Sequence, residues 1–240
     1  MVYKIVIIFG GTGVLCSEIG NGLAKKGNMC ILVGRKQSNV EELIKCDNIE
    51  FMYCDVSIPN NIEKVYTNVF EKYKRIDVVI NGMGINSQQP LLSINSKDIY
   101  DIMNVNFNAL FKSCQEAYKY MQYTGGSIIN IGSVSGITPL SKVFIYSCSK
   151  AAVHNITKNL AREWGKYNIR VNTLIPGFFP AEQNKKILTS ERITSIIEHT
   201  PLGRFGNTEE LIEPVWMLCN STFITGSEIV VDGGFSCQTI

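Results

Sequence analysis

The chain has 240 residues, 45 % of them hydrophobic, and its 23 Lys and Arg stand against 21 Asp and Glu for a net charge of +2. That size allows one substantial core, and the balanced charge, with no long run of either sign, excludes a nucleic-acid or anionic-membrane surface as the main business. No stretch approaches the ~20 apolar residues of a membrane span, and eight Cys without a C-x-x-C, beside only two His, argue against zinc or another metal and for small buried thiols in a reducing compartment.

The first predicted element is a strand at 4–9, whose apolar run is too short for the core of a signal peptide; a soluble, cytoplasmic protein is expected. It leads at once into Gly10-Gly11-Thr12-Gly13-Val14-Leu15-Cys16 and a helix at 14–26. Glycines between a strand and a helix let the backbone approach a pyrophosphate, whose charge the helix N-terminus stabilises; the plainer alternative is an ordinary Gly-rich turn. Cys16 stands where a third glycine is usual, which predicts a helix set slightly further from its strand.

A second strand at 29–33 ends in Val33-Gly34-Arg35-Lys36 rather than in an acidic residue. An acid there would bind the ribose hydroxyls of NAD, whereas Gly34 leaves room and Arg35 suits a 2′-phosphate. NADP(H) is therefore favoured, with NAD(H) possible and two merely solvated cations as the bland reading. After a helix at 38–46, a strand at 49–54 closes in Cys54-Asp55-Val56, where Asp55 is a candidate acceptor for the adenine amino group. A helix at 60–74 precedes a strand at 76–80 and Asn81-Gly82-Met83-Gly84, small enough to let the main chain pass an adenosine ribose. Both could equally be plain turns.

A long helix at 96–122 contains Asn104-Val105-Asn106-Phe107, and a strand at 127–131 runs into Gly132-Ser133-Val134-Ser135-Gly136. The helix predicted at 146–165 opens on Tyr146-Ser147-Cys148-Ser149-Lys150, which puts a phenol and an ammonium on one face. A neighbouring cation favours the phenolate and predicts a lowered Tyr146 pKa, fitting it for proton exchange in carbonyl reduction or alcohol oxidation. With ten Tyr in the chain, chance supplies roughly 0.7 such pairs, so the pair alone decides nothing. A strand at 169–175 meets Pro176-Gly177-Phe178, helices follow at 182–199 and 208–219, and a strand at 228–231 precedes Asp232-Gly233-Gly234. His154 and His199 have no metal partner and read as ordinary surface or core histidines. Alternating strands and helices, with strands apolar on both faces, predict an α/β fold: a single doubly wound parallel sheet of Rossmann type, helices on both faces, over residues 1–240.

Together the glycine turn, Asp55, Asn81 to Gly84, Asn106, Ser133, Tyr146-x-x-x-Lys150, Pro176-Gly177 and Val231-Asp232-Gly233-Gly234 resemble the short-chain dehydrogenase/reductase family over essentially the whole length. The resemblance implies that Ser133 hydrogen-bonds a substrate carbonyl and that Tyr146 gives it a proton as hydride arrives from nicotinamide. It further implies that Lys150 lowers the Tyr pKa and binds the nicotinamide ribose, that Asn106 holds a proton-passing water, and that Pro176, Gly177 and Phe178 shape the nicotinamide pocket. A substrate lid is expected around 178–204, and the long helices imply a homotetramer, or failing that a dimer. Pro176 to Asn184, His199 to Gly206 and Gly10 to Leu15 are similar to D-mannonate oxidoreductase members, with Glu182, Gln183 and Asn184 able to reach sugar hydroxyls; a sugar-acid or polyol-like substrate is expected. The alternatives are a 3-oxoacyl-[acyl-carrier-protein] reductase and, from another class, a non-catalytic nucleotide-sensing module.

Overall fold

Among the described residues, seven strands lie parallel in one sheet, ordered β3-β2-β1-β4-β5-β6-β7. They are β1 (Ile5–Phe9), β2 (Met29–Gly34), β3 (Ile49–Tyr53), β4 (Val78–Asn81), β5 (Gly126–Ile131), β6 (Ile169–Pro176) and β7 (Glu228–Val231). The computed structural model describes residues 3–35, 44, 46–179 and 189–237. All seven predicted strands form, each within two residues of its expected ends. In β1, β2 and β4 every residue is buried, because helices cover both faces. Alternate side chains feed separate cores: Ile5, Ile7 and Phe9 join one, Val6 and Ile8 the other. Each such aliphatic side chain contributes about 1.5–3 kcal/mol relative to exposure.

The first core is closed by α2 (Asn61–Tyr73), α4 (Ala109–Met121) and α5 (Phe144–Trp164), the second by α1 (Val14–Lys25) and α7 (Ile212–Asn220). Helices α3 (Ser96–Met103) and α6 (Ser190–Glu198) complete the described set. The predicted helix at 96–122 forms over 96–121 but is not α-helical throughout. A π-helical turn at Asn104–Asn108 separates α3 from α4, and the extra residue turns the fully buried Asn106 inward. Of the helix expected at 38–46, only residues 44 and 46 are described, and neither is helical; the part of the 182–199 helix before 189 also lies outside the described residues.

A buried polar thread crosses the first core. The Tyr66 hydroxyl on α2 donates to the Ser113 carbonyl (2.9 Å), and Ser113 Oγ on α4 donates to Asn81 Oδ1 (2.7 Å). Asn81 Nδ2 donates to Asn130 Oδ1 (2.9 Å), and Asn130 Nδ2 donates to Thr157 Oγ1 on α5 (2.9 Å). Satisfied in this way, the polar groups cost little to bury and fix three helices against two strands.

Helix α1 lies close on the sheet, contrary to the expectation from Cys16. A Cβ on Gly11 would stand 2.8 Å from Leu32 Cα, and one on Gly20 would stand 2.6 Å from Leu32 Cδ2. Those two glycines supply the close approach, while the Cys16 sulfur points elsewhere, into the space beside Gly82 that a Cβ there would need. Chain order reverses between β1 and β4, so the carboxyl ends of these neighbours diverge into a crevice, the place where open α/β sheets bind ligands.

Candidate active site

A cavity of about 440 Å³ occupies that crevice. Its wall brings together Gly10, Thr12, Gly13, Val14 and Leu15 from the turn after β1, Arg35 after β2, Asp55 and Val56 after β3, and Gly82 after β4. Ser133 after β5, Tyr146 and Lys150 from α5, and Pro176 and Gly177 at the end of β6 complete the set of expected residues. Gly11, Asn81, Asn106 and Phe178 do not line it. Gly11 packs against β2 and Asn81 belongs to the polar thread. Phe178 stacks edge-on against Phe235 (4.9 Å between centroids), and it is the next residue, Phe179, that faces the cavity. Ile85, Asn86 and Val105 also line the wall and carry no sequence signal of their own.

At the turn, Gly10 adopts φ +73°, and a Cβ there would come within 2.5 Å of the Gly82 carbonyl oxygen. Gly13 caps α1 without a side-chain hydrogen bond, and the first turn holds no acid, so the leading N–H groups and the positive helix end are suited to an anion. The room expected beside Gly34 is taken: a Cβ there would meet Thr12 Oγ1 at 2.5 Å. Asp55 sits in an Asx turn, its Oδ1 accepting from the Ser57 hydroxyl (2.6 Å) and amide (3.0 Å). That hydroxyl bond foremost, and the nearby Arg35 charge to a lesser degree, hold its carboxyl below the usual range.

At the other end of the crevice, Ser133 Oγ accepts from Ser135 N (3.2 Å) and Ser135 Oγ (3.0 Å), which leaves its own hydrogen to donate. Lys150 Nζ donates to the Ile131 carbonyl at the end of β5 (2.8 Å) and stands 5.7 Å from the centre of the Tyr146 ring. Burial pushes its amine down to about 8. Tyr146 departs from expectation: burial raises its phenol above the ordinary value, and hydrogen bonding with Ser133 offsets only part of that. Desolvation sets the direction. Asn106 braces the loop after β4, its Oδ1 accepting from Ile85 N (2.8 Å) and its Nδ2 donating to Ile85 O and to Ser149 Oγ (both 3.0 Å). Its side chain is thus a strut between that loop and α5.

His154 is a core residue, 4 % exposed, and its Nε2 accepts from the Ser133 amide (3.3 Å). Burial lowers its pKa to about 4; Glu228 on β7 acts the other way, and Lys150 and Lys158 on its own helix reinforce the drop. The ring is neutral when folded at neutral pH and takes up a proton more readily in the unfolded chain. Its contribution to stability is therefore present above pH 6.5 and is lost as pH falls towards 4. The full shift corresponds to roughly 3 kcal/mol. Urea midpoints measured at pH 7 and pH 4.5 are expected to differ less for His154→Gln than for the wild type.

Comparison with known proteins matches residues 15–236 to the family described as "Enoyl-(Acyl carrier protein) reductase". The chain belongs to the short-chain dehydrogenase/reductase family. Carbonyl reductase family member 4 of Xenopus laevis is 33 % identical over 233 residues, covering 96 % of this chain and 97 % of the relative. The 3-oxoacyl-[acyl-carrier-protein] reductase FabG of Thermotoga maritima is 31 % identical, covering 96 % and 97 %. The crystal structure of a gluconate 5-dehydrogenase from Burkholderia cenocepacia J2315 in complex with NADP and tartrate superposes with a TM-score of 0.92 at 25 % identity, covering 100 % of this chain and 97 % of that one. Family membership makes the chain an oxidoreductase of a family that uses NAD(P), which sets aside the non-catalytic reading. Among the described residues of this short-chain dehydrogenase/reductase, no helix is long and apolar enough to cross a membrane.

Proposed function

We propose that the chain is an NADP(H)-dependent reductase of a ketone on a small polyhydroxy acid, with Tyr146 as proton donor. The observation that carries this reading is that one cavity joins the anion-suited turn after β1 to the Ser133, Tyr146 and Lys150 side chains. The nicotinamide supplies hydride when bound. For the chain's own part, the Gly13 end of α1 holds the pyrophosphate and Arg35, exposed on the cavity wall, pairs with a 2′-phosphate. Ser133 Oγ–H donates to the substrate carbonyl oxygen; the two donors it already accepts polarise that hydroxyl. Tyr146 keeps its proton at neutral pH, so it meets the carbonyl as an acid and transfers the proton as charge develops on oxygen. Lys150, anchored on Ile131, presents a cation beside the phenol ring and eases the negative charge left there.

The polyhydroxy-acid substrate is supported by the likeness to the gluconate 5-dehydrogenase solved with NADP and tartrate. The second reading, a 3-oxoacyl thioester on a carrier protein, is supported by the Thermotoga relative. Nicotinamide absorbance followed with keto-sugar acids and with 3-oxoacyl thioesters separates them: faster NADPH consumption with the sugar acids is expected, and turnover of the thioesters alone would reject our choice. For the cofactor, Arg35→Ala is expected to weaken NADPH binding about tenfold while NADH binding changes less than twofold, as loss of one exposed charge-assisted contact implies. Equal losses in fluorescence titrations would end the 2′-phosphate assignment.

A further inference from the structure

We infer that His154 is a positioning residue that sets the Ser133 hydroxyl against the Tyr146 phenol. Tyr146 and Ser133 arrive on different elements, one on α5 and the other on the loop leaving β5, and their separation needs a fixed link. Tyr146, Lys150 and His154 follow at intervals of four, so they share one stripe of α5. The first two serve the cavity, and the third reaches the serine's own backbone, where Nε2 takes the Ser133 amide proton (3.3 Å). Among the described residues Nδ1 has no hydrogen-bond partner, so the bond to Ser133 is the ring's one polar tie. Steric fit supports the same role. A Cβ on Gly132 would overlap the imidazole, and one on Gly136 would stand 2.8 Å from Cε1, so the ring fills a slot whose walls lie just before Ser133 and just after Ser135. The segment carrying both hydroxyls is therefore moulded on His154.

The inference rests on the assignment of Ser133 as donor to the substrate carbonyl, and the experiment keeps the two apart. His154→Gln retains an acceptor near the Nε2 position; His154→Leu fills the slot with hydrocarbon and leaves the Ser133 amide unpaired. With the best ketone from the panel, His154→Leu is expected to lose about 30-fold in kcat, with KM and the Kd for NADPH within about threefold, because misplacement by a fraction of an ångström costs rate more than binding. His154→Gln is expected to stay within about threefold of the wild type. The double variant Ser133→Ala, His154→Leu is expected to be no slower than Ser133→Ala, since a brace for an absent hydroxyl has nothing to position. Fully multiplicative losses, or a leucine variant with wild-type kcat, would overturn the positioning role. Amide hydrogen exchange at Ser133 gives a readout independent of turnover: faster exchange in the leucine variant and protection in the glutamine variant support the brace, and equal protection in both rejects it. Unchanged turnover in Ser133→Ala would instead refute the donor assignment.

Discussion

Tyr146→Phe is expected to bind NADPH as the wild type does and to lose about 10³-fold or more in turnover, the scale of a positioned general acid. The substitution removes one oxygen and keeps the ring, so the wall that Tyr146 shares with Lys150 and Pro176 keeps its shape. A structural role for the tyrosine would show as weakened cofactor binding or a lowered melting temperature. A chemical role shows as rate loss with both unchanged. Because burial holds the wild-type phenol protonated, the wild-type rate is not expected to rise on lowering the pH below 7, and the variant has no such proton to give at any pH. Stopped-flow reduction and cofactor titration on the same preparation decide the matter, and turnover within tenfold of the wild type would remove Tyr146 from the reaction.

Gly10→Val combines two faults at the opposite end of the cavity. Its φ of +73° lies in the left-handed region that β-branched residues avoid, and even a Cβ would sit 2.5 Å from the Gly82 carbonyl oxygen and 2.7 Å from its carbon. Backbone strain and overpacking each cost about 1–3 kcal/mol. At about 3 kcal/mol in total, a chain of this size should melt about 6–12 °C lower. The turn must also move away from the Gly82 loop, so cofactor affinity is expected to fall at least about 100-fold. Calorimetry and fluorescence titration test both halves. A variant with unchanged melting and unchanged affinity would show that the turn does not need its left-handed residue.

Much of this was legible in the chain because the informative features are local. Continuous apolar runs such as Val78-Val79-Ile80 mark strands covered on both faces, and the turn chemistry after each strand marks the ligand edge. What escaped depends on contacts distant in sequence. The π-helical turn at Asn104–Asn108 accompanies Asn106 reaching Ile85 and Ser149, and nothing in residues 96–122 announces those partners. The Tyr146 pKa was expected to fall because Lys150 is visible four residues away, whereas the desolvation that raises it comes from the whole cleft. From sequence Asn81 reads as part of a loop passing the cofactor ribose, or of a plain turn, but its neighbours on β5 and α4 draw its amide into the core. Cys16 was expected to spread helix and strand; its sulfur has space because position 82 is glycine, a pairing that only the fold brings together.

The polar thread that ends on Thr157 has a consequence for how α5 tolerates change. Close packing and the Asn130–Thr157 bond together clamp the azimuth of that helix. Each residue advances that azimuth by about 100°. Adding one amino acid between Lys150 and Thr157, with the clamp intact, would swing the phenol away from the crevice, so this stretch should tolerate hardly any change of length.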